Sequence, residues 1–155
     1  MLESVVPNHV AKFTREPAEH RKDALIRATL SLIAEQGVQG ATVRAIAARA
    51  EVTQGLIRHY FSSKEDLITA AYEFHMSHLT NMTAAPSAAQ SGSARTRLAT
   101  FVVTGLEPPV VDSGSVFLWA GFLNMLREGA GMQAIHARTY RAFRNRLQAL
   151  IADAL

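Results

Sequence analysis

Apolar residues recur at spacings of three and four from early in the chain. Ala24, Leu25, Ala28, Leu32 and Ile33 form one such stripe, the period of an amphipathic helix. Pro17 suits the first turn of that helix, where its missing N–H costs nothing, and Gly37 and Gly40 are expected to end it in a turn. Thr42 stands as N-cap of a short second helix, Val43 to about Ala50, with Val43, Ile46, Ala47 and Ala50 on its apolar face. Thr53 caps a third helix ending near Phe61. Ser63 caps a fourth, with Asp66 at the acidic position of a capping-box variant. The positions Leu67, Ala71, Phe74, His78 and Met82 carry that helix to about Thr83.

The stretch Ala84–Ala94, rich in Ala and Ser and containing Pro86, reads as a loop. A helix from about Arg95 to Gly105 follows, broken by Pro108 and Pro109. Ser115 to Leu126 is apolar nearly all round and is therefore expected to lie buried among other helices. Gly129 and Gly131 end it, and a final amphipathic helix runs from about Gln133 to the C-terminus. No segment alternates as a strand does, and no repeat is present, so the expected fold class is all-α. Residues 1–16, without sustained periodicity, read as a flexible arm, residues 17–67 as a first helical unit and 68–155 as a second.

Composition narrows the function classes. The 155 residues are 48% hydrophobic and 19% charged, which fits a globular protein. The longest apolar run, Val116–Leu123, is too short to span a bilayer. Glu3 and Glu16 and the lack of an apolar stretch argue against a signal peptide. The absence of cysteine excludes disulfides and thiolate metal sites and fits a cytoplasmic protein. A net charge of +3 and a pI near 9.7 allow nucleic-acid binding without demanding it. His75 and His78 have a spacing that metal ligands can use, but no third ligand is evident, so no metal or cofactor is expected. With no glycine-rich phosphate loop, G-x-S-x-G elbow or H-E-x-x-H, neither is an enzyme.

Residues 42–61, TVRAIAARAEVTQGLIRHYF, carry the informative motif. Two short capped helices are joined by a turn at Ala50-Glu51-Val52. This is the helix-turn-helix pattern, in which the first helix braces and the second lies in the major groove. The same spacing also fits an αα-corner with a polar outer face. Ala47 and Ala50 allow a close crossing, and Val52, Ile57 and Phe61 can seal it. With Ile57 phased inward, Gly55 and His59 point away from the core, with Gln54, Leu56 and Arg58 on the flanks. Glycine there permits close backbone approach. Gln pairs with adenine and Arg with guanine, and Leu56 can touch a thymine methyl. Thr42, Arg44, Thr53, Tyr60 and Lys64 lie at edges and helix starts, where phosphate contacts are expected.

The segment 21–67 resembles the DNA-binding domain of TetR-family repressors. The resemblance rests on Ala28, Gly37, Thr42, Val43, Ile46, Ala47, Ala50, Val52, Gly55, Tyr60, Phe61, Lys64 and Leu67, and above all on GLIRHYFSSKEDL from Gly55 to Leu67. His59-Tyr60-Phe61, with Trp119-Ala120 further on, is similar to the choline-responsive repressors of betaine synthesis. The resemblance implies a ligand-responsive repressor that binds a palindromic operator as a homodimer. Residues 68–155 would then be the regulatory and dimerisation domain. Two departures stand out. Glu51 occupies a position that is usually glycine in the family, and Arg58 one that is commonly tyrosine. The family also carries about two further helices that make most of the dimer interface, so the regulatory domain is expected to be short at its C-terminus. A second reading is a small-molecule-binding helical protein with weakened or lost DNA binding.

For a small effector, possible pocket residues are Phe101, Trp119, Phe122, Asn124 and Tyr140. An aromatic cluster can hold a quaternary ammonium such as choline by cation–π attraction, or can simply be core. Asn124, polar within an apolar run, needs a hydrogen-bond partner if buried. Arg138, Arg141, Arg144 and Arg146 on the last helix read as mostly solvated.

Overall fold

The computed structural model describes residues 18–127 and 129–155; the expected N-terminal arm and Pro17 lie outside the described residues. Seven helices and no strand occur among them: α1 Ala18–Gly40, α2 Val43–Arg49, α3 Gln54–Tyr60, α4 Lys64–Ala89, α5 Ala94–Thr104, α6 Ser113–Met125 and α7 Ala130–Ala154. The all-α class follows. No helix among these residues is long and apolar enough to cross a membrane.

The expected caps are in place. The hydroxyls of Thr42, Thr53 and Ser63 accept hydrogen bonds from the N–H groups of Ala45, Leu56 and Asp66. Each satisfies one of the donors that a helix start leaves without an intrahelical partner. Asp66 differs from the expected box: its Oδ2 accepts from the N–H and hydroxyl of Ser62, one residue before the cap. Gly37, at φ 72° and ψ 175°, is non-helical and interrupts the helical path of α1 where the sequence predicts a turn, shortly before Gly40. That left-handed conformation costs glycine little, because glycine has no Cβ.

Two expectations are corrected. The predicted loop at 84–94 is helical as far as Ala89. Pro86 removes a helix donor, but alanine is the best helix former and α5 packs along this stretch. Ser87 is buried there and donates its hydroxyl to the carbonyl of Arg97 at 2.8 Å. Packing thus outweighs the proline penalty. The second correction concerns α6, which is not surrounded by other helices. Leu118 and Phe122 are buried, whereas Val116, Phe117 and Trp119 are 50%, 53% and 44% exposed.

One apolar cluster runs through both expected units. It joins Leu25, Leu32, Ile33, Ile46, Ile57, Phe61, Leu67 and Tyr72 to Leu118, Phe122 and Met132. Each fully buried large aliphatic side chain contributes roughly 1.5–3 kcal/mol through removal from water. α4 passes from the helix-turn-helix into the second half, and α6 lies directly on α1. A Cβ on Gly121 would sit 3.7 Å from the Val38 side chain.

Candidate DNA interface

The turn between α2 and α3 sets the position of everything else in this site. The C-cap of α2 is Ala50, and Glu51 follows with φ 54°. The N–H of Val52 donates to the carbonyl of Ala47 at 2.9 Å, and that of Glu51 to Ala48 at 3.3 Å. These are the paired bonds of a Schellman ending, which requires a left-handed residue at the position of Glu51. A side chain there is disfavoured by about 1 kcal/mol relative to glycine. Glu51 is therefore strained and exposed, and it sets a negative charge at the corner of the motif.

α3 is fixed by its inner face. Ile57 is 2% exposed, and Phe61, just beyond the helix, is 4% exposed. Lys22 of α1 lies over the Phe61 ring, 5.9 Å from its centre. α2 is tied to α1 by Arg49, whose guanidinium donates to both carboxylate oxygens of Glu35 at 2.7 Å and to the Ser31 hydroxyl at 2.5 Å. The Arg49 bonds to Glu35, with a second contribution from the Ser31 hydroxyl, which donates to Glu35 Oε1 at 2.9 Å, hold the Glu35 carboxyl at a pKa of about 2. Arg49 and Glu35 escape a reading of the motif because they lie fourteen residues apart on different helices.

With Ile57 inward, Gln54, Gly55, Arg58 and His59 are exposed along the outer face of α3, while Leu56 and Tyr60 are half-buried at its sides. The His59 and Tyr60 rings meet edge-on at 5.1 Å. A Cβ on Gly55 would meet only the Thr53 hydroxyl, at 3.8 Å, so nothing in the chain itself requires glycine there. Thr42, Arg44 and Thr53 are exposed and Lys64 is half-buried. Arg44, Arg58 and Lys64 make no ion pair among the described residues. The arrangement is a convex, polar helix with free cations at its edges, supported from behind by apolar packing. That geometry suits insertion into a groove lined by phosphates and base edges.

The five expected pocket residues are not brought together. Phe101 is buried against Phe143, and Phe122 against Tyr72. Tyr140 is exposed and stacks on His136, whose Nδ1 shares a hydrogen bond with the Tyr72 hydroxyl at 2.5 Å. Asn124 is exposed, so water satisfies it and no buried partner is needed. Trp119 does line a groove, of about 380 Å³, with Met76, Leu79, Val111, Val116 and Phe143. Of these groove residues, only Trp119 was among those expected from the sequence. The described residues include no group of three side chains able to hold a metal ion.

The fold and this motif define an all-α protein that carries a helix-turn-helix. Residues 25–71 match the family described as bacterial regulatory proteins, tetR family, and this helix-turn-helix segment belongs to it. It is 32% identical to the HTH-type transcriptional regulator BetI of Burkholderia thailandensis over 128 residues, covering 82% of this chain and 66% of the relative. It is 30% identical to BetI of Burkholderia mallei over 123 residues, covering 79% of this chain and 59% of that protein. The chain thus spans roughly three-fifths to two-thirds of the length of these relatives. Among solved structures, a proposed transcriptional regulator from Pseudomonas aeruginosa PAO1 superposes with a TM-score of 0.81 at 29% identity, covering 92% of this chain and 69% of that one. A regulator from Saccharomonospora viridis, solved in complex with choline, shares the fold with a TM-score of 0.75 at 17% identity, covering 88% and 70%.

Proposed function

We propose that the chain is a ligand-responsive transcriptional repressor that binds a palindromic operator as a homodimer, with α3 of each copy in the major groove. Residues 17–67 form the DNA-binding unit, and residues 68–155 the regulatory and dimerisation unit. The observation that carries this reading is the placement of α3: Ile57 is locked inward, while Gln54, Gly55, Arg58 and His59 stand free on the outer face. Thr42, Arg44, Thr53, Tyr60 and Lys64 are assigned to phosphates and Leu56 to a thymine methyl. One helix makes too few phosphate contacts for tight binding, hence the pair, with recognition helices about 34–36 Å apart. The relatives are named transcriptional regulators, which supports regulation over catalysis.

The effector is assigned to the groove between α4, α6 and α7, with a choline-like quaternary ammonium over Trp119. The similarity to BetI proteins and the choline-bound neighbour support that class. The apolar, aromatic wall of the groove suits a cation with a methylated surface.

The test is binding to DNA from upstream of the chain's own gene and to random duplex, across a salt series. Affinity is expected to fall steeply with salt, and Lys64→Ala should weaken both duplexes alike and reduce the salt slope by about one. Binding that does not depend on salt would contradict the reading.

A further inference from the structure

We propose that the effector is an amphiphilic cation, with its quaternary ammonium on the exposed ring of Trp119 and an alkyl arm of several carbons running into the groove behind it. The inference rests on that groove being the effector site, and it adds the class of group that fills it.

Charge and exposure along the groove carry the argument. None of the nine residues that line it is charged. Ser115 supplies the one hydroxyl, and that group already donates to the carbonyl of Pro109 at 2.9 Å. An ammonium sunk among these side chains loses its water with no carboxylate to replace it, which is costly. The ring of Trp119 avoids that cost. It is 44% exposed, so a cation there keeps part of its hydration while gaining cation–π attraction.

The rest of the wall is carbon. Met76 and Leu79 of α4, Val110 before α6 and Phe143 of α7 line the groove and are half-buried. Met76 and Leu79 are three apart on α4 and share a face. Phe143 is backed by the buried Phe101 ring, 5.4 Å between centres, which holds that wall in place. At about 380 Å³ the groove is in the size range that encloses a drug-sized molecule, and a trimethylammonium head at the rim leaves its inner part unfilled. A saturated chain fills it favourably: each methylene leaves water for a carbon wall and asks for no hydrogen bond. A hydroxyl in the same place gives up its bonds to water for a wall that returns little.

Trp119 is the single tryptophan of the chain and reports occupancy of the rim directly. The full chain is titrated with tetramethylammonium and with ethyl-, butyl- and hexyltrimethylammonium, followed by Trp119 fluorescence and by calorimetry. Affinity is expected to rise about fourfold per added methylene until the groove is full. Leu79→Asn should shrink that step. Val111→Asn, at an exposed position on the rim, should shrink it less and does not disturb the core, so it keeps the test intact if the first variant fails to fold in thermal melts. Unchanged steps in both variants would place the arm elsewhere and overturn the inference. Equal affinity along the series would also overturn it, and leave the groove as a site for a compact cation alone. Neither a fluorescence change nor heat with any of the four cations would overturn the groove assignment itself, and this inference with it.

Discussion

Two residues in the motif separate the demands of folding from those of DNA binding. A Cβ at Gly55 would make only an ordinary contact with the Thr53 hydroxyl, so Gly55→Ala is expected to leave the melting temperature unchanged or raise stability by up to about 1 kcal/mol, from helix propensity. The added methyl stands where the backbone would approach DNA, and operator affinity should fall by roughly 1–3 kcal/mol, the scale of a lost base contact. An alanine variant that binds operator normally would show that α3 does not dock as assigned. Glu51 is the converse case. Glu51→Gly removes the left-handed strain and a negative charge together. It is expected to stabilise the fold by about 1 kcal/mol, seen as a raised melting temperature, and to tighten DNA binding, most visibly at low salt. Gly55 was legible in the sequence because helix periodicity is a local rule, whereas Glu51 stood out only through the family resemblance.

At the scale of elements, local rules located α2 and α3 and the inward face at Ile57, because each is short, capped and strongly periodic. They failed where tertiary packing decides. The Ala-rich end of α4 stays helical because α5 lies along it, and the exposed aromatics of α6 break the equation of apolar with buried. The pocket set failed for the same reason: Phe101, Phe122 and Tyr140 share a composition but not a surface. The α1–α2 brace was equally hidden, and it carries a pH signature. Glu35 is held near pKa 2 against an ordinary 4.5. A carboxyl whose pKa is lowered by folding contributes stability above its unfolded pKa and loses it as pH falls through the folded one. The melting temperature should therefore drop between about pH 4.5 and 2, and Glu35→Gln should flatten that part of the profile. A variant whose profile matches the parent's would show the pair to be immaterial, as exposed pairs often are.

At the scale of the molecule, the exposed residues Val102, Val103, Leu106, Val116, Phe117 and Trp119 leave apolar surface on α5, α6 and the loop between them. Large uncovered patches are rare on soluble monomers. Light scattering over a dilution series is expected to show a dimer that dissociates as it is diluted, and Phe117→Lys should shift it toward monomer. A strict monomer at tens of micromolar that still binds a palindrome tightly would contradict the paired arrangement. The most direct test of the whole reading is base discrimination by α3. Operator and random-duplex affinities are compared for the parent chain, Gln54→Ala and Arg58→Ala at one salt concentration. Loss of roughly 1–3 kcal/mol of operator preference in at least one of the two variants, with random-duplex binding little changed for Gln54→Ala, is the expected result. Unchanged preference in both would contradict the placement of α3 in the major groove.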